Sequence, residues 1–143
     1  METTIERVIF LQGIELFEDI PSEQLAHLAG ITTLFSADSG QTLFTEDEST
    51  HDLYIMIGGV VHLSRNGKIK KKVVEPEAIG PWSFFDGKER LMTANCKQES
   101  HFLVISRLDF YDLLEDRVNL ARGLISYFVK RIRKLTDTTD AIV

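Results

Sequence analysis

The sequence predicts a mainly β fold with flanking helices, arranged as a β-roll or jelly roll (a double-stranded β-helix). Short segments rich in aromatic and β-branched residues alternate with turn signals over residues 31–106, which is typical of a sandwich, jelly roll or barrel. Apolar residues at helical spacing precede and follow this stretch. With 143 residues and no internal repeat, the chain is most simply one domain covering residues 1–143.

Helices are predicted within residues 1–30. Apolar residues at loosely helical spacing open the chain until Gly13 interrupts them. Ser22 is a favourable N-cap residue, and an apolar stripe follows it up to Gly30, which is a common helix stop. A helix is therefore expected between Ser22 and Gly30.

Seven strands are predicted within residues 31–106. The clearest local signal is Asn66-Gly67, which between two alternating segments is typical of a two-residue hairpin with positive φ at both positions. Other turn signals separate the remaining segments at regular spacing. The predicted strands are residues 32–37, 41–45, 52–57, 60–65, 68–74, 92–97 and 101–106.

Residues 79–93, which lie between the fifth and sixth of these strands, have features of an anion pocket. Gly80 allows a close approach of the backbone, and Pro81 is suited to the first turn of a helix. A helix that begins there would direct backbone N–H groups and the positive end of its dipole at a ligand.

A long C-terminal helix is predicted to carry an interaction surface. Residues 107–114 indicate a short helix and residues 118–135 a long one, so the C-terminal helices cover 107–135 and a frayed tail covers 136–143. Apolar residues recur on the long helix at the spacing of a coiled-coil seam, which predicts a homodimer, with packing onto its own barrel as the alternative. The seam consists of Ala121, Ile125, Phe128, Ile132 and Leu135.

Charge and composition restrict the partners. A net charge of −6 argues against nucleic acid as a partner of the whole domain. Because Cys96 is the one cysteine, an internal disulfide cannot form, and the chain shows neither a secretory signal nor an apolar run that could span a membrane. We therefore expect a cytoplasmic protein, or a cytoplasmic piece of a larger one, with no membrane partner.

No arrangement of residues indicates catalysis. Paired carboxylates, and combinations of Ser, His and Asp or of Cys and His, do not recur at informative positions. The four histidines lack a compact ligand spacing, so a metal enzyme built on the barrel is only a third hypothesis. Cys96 is expected to be a small buried hydrophobe. We expect a protein that is not an enzyme and has no resident cofactor.

Five stretches carry a family pattern. They are a first helix at residues 16–29, a second-strand signature at 39–46, a tyrosine strand ended by a turn glycine at 52–61, the stretch 79–93, and a last strand and helix at 103–110. Together they resemble the cyclic nucleotide-binding domain family, the sensor domain of catabolite-activator-type regulators. The resemblance covers residues 16–135 and implies a regulatory domain that takes cyclic AMP as its ligand. Residues 79–93 lie at the position of the family's phosphate-binding cassette, and we name them the cassette segment.

The resemblance implies a set of ligand-binding residues, although the cassette segment departs from the family pattern. Arg90 falls where the family's arginine pairs with the cyclic phosphate, and Gly80 and Thr93 also match. Pro81 stands where a glutamate would hold the ribose 2′-hydroxyl, and Glu89 replaces a proline. The two residues after Arg90 replace small ones. The implied ligand-binding residues are Gly80, Trp82, Ser83, Arg90, Leu91, Met92 and Thr93.

These departures leave two functional hypotheses. In the first, a small anionic ligand, cyclic AMP by resemblance, binds the cassette segment weakly and shifts the position of the helix over 118–135. In the second, the pocket is degenerate and filled by Trp82, Phe84 and Phe85, and the domain serves protein interaction or oligomerisation. No second helical domain with a helix-turn-helix follows in the sequence, so we expect either that the chain is a fragment of a larger protein or that it passes its signal to another protein.

Three features of the sequence each have two possible interpretations. Arg90 is either the phosphate ligand or a solvated arginine beside Lys88 and Glu89. Trp82 stacks on a base or, as we favour, lies in the core or in an interface. The lysines of residues 68–72 attract a nucleotide or an acidic partner or, as we favour, form the solvated face of an edge strand.

Overall fold

The computed structural model describes residues 1–136 and confirms a mainly β fold with flanking helices. The chain divides into two compact units. The helical unit contains Met1–Gly30 and the chain from Asp112 onward, and the β unit contains Ile31–Tyr111. The assignment of one domain stays a prediction, and all of the predicted tail except Thr136 lies outside the described residues.

The β unit holds eight strands in two four-stranded antiparallel sheets. The strands are β1 (Thr33–Ala37), β2 (Thr42–Phe44), β3 (Leu53–Gly58), β4 (Val61–Arg65), β5 (Lys68–Val73), β6 (Ala78–Ile79), β7 (Thr93–Cys96) and β8 (Ser100–Ile105). One sheet has the order β1-β8-β3-β6 and the other the order β2-β7-β4-β5. Strands β5 and β6 are therefore edge strands.

All seven predicted strands are confirmed to within two residues at each end. The turn between β4 and β5 is also confirmed, since Asn66 has φ 52° and Gly67 has φ 76°. Strand β6 was not predicted, because its two residues are too few for a periodic pattern. It is defined instead by its pairing with β3, where Ile79 lies opposite Tyr54.

Apolar residues of both sheets form one core inside the β unit. Aromatic rings lie at its centre, with Tyr54 packed edge-on against Phe102 at 5.8 Å and tilted against Phe44 at 6.0 Å. Fully burying a side chain of this size contributes about 1.5–3 kcal/mol. The buried members are Ala37, Phe44, Met56, Val61, Val73, Ile79, Ala94, Cys96 and Phe102.

A short helix in the cassette segment, α3 (Pro81–Asp86), packs against the start of α4 (Arg107–Asp116). Pro81 occupies the first turn as predicted. The ring of Phe84 is fully buried and lies 4.8 Å from that of Phe110. The hydroxyl of Tyr111 donates a 2.6 Å hydrogen bond to the carbonyl oxygen of Phe85.

The helical unit contains α1 (Thr4–Gln12), a 3₁₀ turn (Glu15–Phe17), α2 (Ser22–Ala29) and α5 (Val118–Thr136). The prediction that Ser22 caps α2 is wrong. The carbonyl oxygen of Pro21 accepts the first helical hydrogen bonds, from Gln24 and Leu25, so Pro21 is the cap residue. The hydroxyl of Ser22 instead accepts a 2.7 Å hydrogen bond from Gln12.

One face of α5 packs within the helical unit. Leu120, Gly123 and Leu124 are buried, and a Cβ at Gly123 would lie 2.7 Å from the side chain of Ile20. Near the C-terminal end, Lys130 Nζ lies 2.7 Å from Asp19 Oδ1, so an ion pair also holds the helix to the segment after the 3₁₀ turn.

Most of the predicted seam lies on the exposed surface of α5. Ile125 is 61% exposed, Leu135 is 70% exposed, and Ile132 is also exposed, while Ala121 and Phe128 are partly buried. The homodimer seam and its alternative, packing onto the protein's own barrel, both stay predictions.

Candidate ligand site

The end of the cassette segment is bound through its backbone to the loop between β2 and β3. The N–H of Asp47 donates to the carbonyl oxygen of Arg90 at 2.8 Å, and the N–H of Arg90 donates to the carbonyl oxygen of Glu48 at 2.9 Å. Next to this exchange, the hydroxyl of Thr93 accepts a 3.0 Å hydrogen bond from the N–H of Glu46. These bonds fix the position from which the side chain of Arg90 extends.

The guanidinium of Arg90 points into the protein. Its Nε donates to the hydroxyl of Thr50 at 3.1 Å, its Nη1 to the carbonyl oxygen of Gly80 at 3.2 Å, and its Nη2 to the carbonyl oxygen of Asp52 at 2.7 Å. The guanidinium carbon also lies 4.0 Å from the centre of the Phe44 ring. All three nitrogens thus have acceptors, and Arg90 is 2% exposed, so the interpretation of a solvated arginine is wrong.

Arg90 is a buried cation with neutral hydrogen-bond partners. Within residues 1–136 no carboxylate lies at ion-pair distance from it, and Glu89, its neighbour in sequence, is exposed. Burial lowers the pKa of Arg90, and the charges of Tyr54, Asp52 and Glu48 oppose that shift. An arginine keeps its proton in such surroundings, so the charge is held by backbone carbonyl dipoles and by the Phe44 ring.

Gly80 is the position that admits the guanidinium. Its φ is 80°, in the left-handed region, and a Cβ there would overlap Nη1 of Arg90 and lie 3.2 Å from the Phe44 ring. Glycine is therefore required for two independent reasons, the backbone conformation and the space taken by Arg90. The match to the family glycine at this position is explained by contacts within the protein.

A second arginine, Arg65 at the end of β4, binds the same region from the surface. Its Nη1 donates to the carbonyl oxygen of Leu91 at 2.9 Å, and it pairs with Asp47 Oδ1 at 3.2 Å. Asp47 has φ 67°, in the left-handed region that glycine adopts without strain. The Arg65 pair thus holds an aspartate in a backbone conformation that favours glycine.

An open groove of about 510 Å³ lies beside Arg90. Its walls carry both signs of charge, since Arg65, Lys88, Asp47 and Glu89 are all among its lining residues. Gly87 and Leu91 complete much of the lining. The groove is large enough for a small anion but has no concentrated positive charge, because Arg65 is already paired.

The residues predicted from the resemblance do not converge on one cavity. Gly80 and Arg90 contact each other, Ser83 is buried, and Thr93 binds Glu46. Leu91 is exposed and Met92 is partly buried. The ligand roles of these residues stay predictions.

Trp82 lies outside the core. It is 60% exposed, because it falls on the solvent side of α3 while Phe84 falls on the buried side. Trp82 therefore does not lie in the core, and the hypothesis that it fills the pocket with Phe84 and Phe85 is wrong for Trp82. The space beside the guanidinium is occupied by Phe44 and Gly80 instead. The alternatives in which Trp82 lies in an interface or stacks on a base stay predictions.

Sequence reasoning missed four residues of the site. Asp52 acts through its backbone carbonyl, for which no side-chain signal exists. Thr50 and Arg65 lie on segments whose spacing to Arg90 is set only by the fold. Phe44 lies in the second-strand signature, but its contact with the guanidinium depends on the pairing of β2 with β7.

Residues 1–136 give no support for a metal site or a reactive cysteine. No group of three His, Cys, Asp or Glu side chains there is placed to hold a metal ion. Cys96 is buried as predicted, and burial raises the pKa of its thiol. None of the helices in this part of the chain is both long and apolar enough to cross a membrane.

The comparisons with known proteins agree with the fold. The family model of the cyclic nucleotide-binding domain matches residues 34–117, more than half of the chain. This chain belongs to the cyclic nucleotide-binding domain family. No curated protein sequence matches it closely enough to count as a relative.

Two of the solved structures similar to this cyclic nucleotide-binding domain are domains of transcriptional regulators. The N-terminal domain of a transcriptional regulator from Streptomyces coelicolor A3(2) is 27% identical, with a TM-score of 0.82, and the match covers 93% of this chain and 99% of that one. The sensor domain of the transcriptional regulator DNR from Pseudomonas aeruginosa is 25% identical, with a TM-score of 0.76, over 100% of this chain and 99% of that one.

A third similar structure is a longer protein. The catabolite activator protein of Thermus thermophilus is 21% identical, with a TM-score of 0.71, over 88% of this chain. This cyclic nucleotide-binding domain matches 62% of that chain, and the likeness concerns the fold alone.

Proposed function

We propose that this domain is a cytoplasmic, non-enzymatic regulatory module whose cassette segment is closed by Arg90 and which acts through α5. Assembly through the exposed seam, with a second copy or with a larger partner protein, does not require a bound nucleotide in this proposal. The observation that carries it is that each of the three nitrogens of the Arg90 guanidinium already has an acceptor within the protein.

The energetics of Arg90 support weak binding of a cyclic phosphate. A ligand phosphate would have to replace acceptors that the guanidinium already has. A hydrogen bond to a charged group contributes about 1.5–3 kcal/mol, so each bond that is broken and not replaced lowers affinity roughly tenfold to a hundredfold. Pro81 adds to this loss, because it supplies neither a carboxylate for the ribose nor a backbone N–H.

The surface of α5 supports action through assembly. Ile125, Ile132 and Leu135 expose apolar side chains along one stripe of a 19-residue helix. Exposed apolar stripes of this spacing are stabilised by packing against another helix. The coiled-coil spacing of this stripe makes a second copy the first partner to test.

Calorimetry with cyclic AMP tests the closed pocket. We expect no saturable heat at ligand concentrations up to about 1 mM, which corresponds to a binding free energy weaker than about −4 kcal/mol. Arg90→Lys and Lys88→Ala are the matched variants, because the first changes the buried cation and the second an exposed one. Binding tighter than about 10 µM that is lost in Arg90→Lys and kept in Lys88→Ala would refute the proposal.

The second candidate function is a sensor for a small anionic ligand such as cyclic AMP. It is favoured by the open groove of about 510 Å³ that lies beside Arg90. Ligand binding would then release Arg90 from Asp52 and Gly80 and shift the equilibrium of the C-terminal helices. Saturable binding in the calorimetry above, with the same dependence on Arg90, is the result that would establish it.

A further inference from the structure

Strand β5 is an edge strand with unusual exposure. It pairs with β4 on one side, and within the described residues no strand pairs with its other side. Residues 68–72 are all exposed, and because successive side chains of a strand point to opposite faces, both faces of β5 lie in solvent. Its free edge therefore presents unpaired backbone groups that another extended segment can bind.

The side chains of β5 combine positive charge with apolar surface. Of its four lysines, only Lys71 has an ion partner in residues 1–136, namely Glu77 at 2.7 Å. Ile69 is 52% exposed, and Val74, which follows the strand, is 57% exposed. Lysines on an edge strand protect it from aggregation, whereas exposed apolar residues do not. Protection from aggregation therefore does not explain the exposure of Ile69 and Val74.

The register of β5 disfavours a second copy as the occupant. Ile69 lies opposite Ser64 and Lys71 opposite Leu63, so Lys70 is an extra residue at an irregularity of the ladder. Two such strands placed edge to edge would bring lysines against lysines. A partner strand with acidic side chains would meet opposite charges instead, although the net charge of this domain is −6.

We propose that the edge of β5 binds an extended acidic peptide segment of a partner protein, with both acidic and apolar side chains, by β-strand addition. The backbone of the edge supplies hydrogen bonds, Lys68, Lys70 and Lys72 supply charge complementarity, and Ile69 and Val74 supply apolar contact. Nucleic acid fits less well, because a phosphate backbone neither pairs with a strand edge as an added strand does nor packs against apolar side chains. This inference does not depend on the state of the cassette segment.

The probe is a fluorescein-labelled octapeptide of alternating Glu and Val, with alternating Lys and Val as its charge control. Fluorescence anisotropy should show saturable binding of the acidic peptide only. The triple variant Lys68→Glu, Lys70→Glu, Lys72→Glu should weaken that binding at least about tenfold, since three exposed charge contacts are reversed. The matched triple variant Lys88→Glu, Arg122→Glu, Lys134→Glu makes the same change of net charge outside β5 and should keep the wild-type affinity.

Hydrogen exchange tests whether the peptide pairs with the backbone of β5, which the charge-reversal variants do not test. Amide groups of residues 68–74 should gain protection when the acidic peptide binds, because the added strand pairs with them. The proposal is overturned by absence of binding, by equal weakening in both triple variants, or by binding without protection of β5. Tighter binding of a labelled twelve-residue oligo(dT) than of the acidic peptide would also overturn it, in favour of a nucleic acid surface.

Discussion

Arg90 donates a 2.7 Å hydrogen bond from Nη2 to the carbonyl oxygen of Asp52. The cation that the family pattern assigns to a ligand phosphate is thus bound to the protein's own backbone. Because a guanidinium offers donors in a rigid fork, the same geometry also reaches Gly80 and Thr50. Arg90 therefore joins the cassette segment to the start of β3 as a structural element.

Arg90→Ala should lower the free energy of unfolding by about 2–5 kcal/mol, because the buried carbonyl groups of Gly80 and Asp52 lose their donor. Arg90→Lys should fall between this variant and the wild type, since one ammonium group cannot reach all three acceptors. Urea denaturation followed by circular dichroism measures these differences.

Lys88→Ala is the control for this series. Lys88 lies two residues away and is exposed, so its removal should change the stability by less than about 0.5 kcal/mol. If Arg90→Ala and Lys88→Ala have equal free energies of unfolding, the internal contacts of Arg90 do not contribute to stability.

Gly80→Ala should destabilise the domain more than Gly67→Ala. Both glycines have similar positive φ, 80° and 76°, but only at Gly80 would the new Cβ meet other atoms, those of Arg90 and Phe44. The left-handed backbone costs about 1–2 kcal/mol in both variants, and the overlap should add at least about 1 kcal/mol in Gly80→Ala. Thermal or urea unfolding of the two proteins under one condition measures the difference, and equal losses would contradict it.

Asp47→Gly should be more stable than Asp47→Ala by about 1 kcal/mol. Both substitutions remove the ion pair with Arg65, but only glycine adopts φ 67° without strain. The comparison therefore separates the cost of the left-handed backbone at this position from the loss of the ion pair with Arg65. If alanine proves as stable as glycine in urea denaturation, the left-handed conformation at this position is not strained.

The ion pair between Asp19 and Lys130 should make part of the stability depend on acid pH. The hydrogen bond from Lys130 lowers the pKa of Asp19 below its usual value of 3.8. The stabilisation is then fully present above pH 3.8 and is lost as the pH falls through the lower folded value. Asp19→Asn should be less stable than the wild type above this window and equal to it below.

Urea midpoints measured from about pH 5 to about pH 2 test this dependence. Lys130→Met is the matched variant, because it removes the partner and leaves the carboxylate. It should lose most of the pH-dependent increment that Asp19→Asn loses, because the hydroxyl of Ser126 still donates to Asp19. A constant difference between wild type and Asp19→Asn across the whole range would show that the pair does not shift the titration.

Ile125→Asp should dissociate a dimer formed through α5, whereas Asn119→Asp should not. Both substitutions add one negative charge to an exposed position of the same helix, but only Ile125 belongs to the predicted seam. Light scattering at high protein concentration should give twice the chain mass for wild type and Asn119→Asp, and the chain mass for Ile125→Asp. A wild-type protein that scatters as a monomer would contradict the seam.

The sequence predicted the strands and helices well because their signals are local. Alternation along β3, the Asn66-Gly67 turn and the apolar spacing of α5 each lie within one segment. The two-residue β6 has no such signal, since its pairing with β3 defines it. The cap of α2 was misplaced by one residue because Pro21 and Ser22 both suit a helix start.

The candidate site was less predictable because its contacts are not local. The position of Arg90 was found from the resemblance, but the direction of its side chain depends on carbonyl groups of Asp52 and Gly80, which any residue type would supply. The exposure of Trp82 likewise depends on which side of the short α3 faces Phe110, and six residues are too few to show a periodicity.

The Nε–H group of Arg90 offers the most direct measurement of the closed pocket. In a ¹⁵N–¹H spectrum recorded with and without about 1 mM cyclic AMP, the account predicts a resolved signal, protected from exchange by the bond to Thr50, that does not move on addition of ligand. A signal that is lost to fast exchange in the free protein, or that shifts in a saturable manner with cyclic AMP, would contradict it.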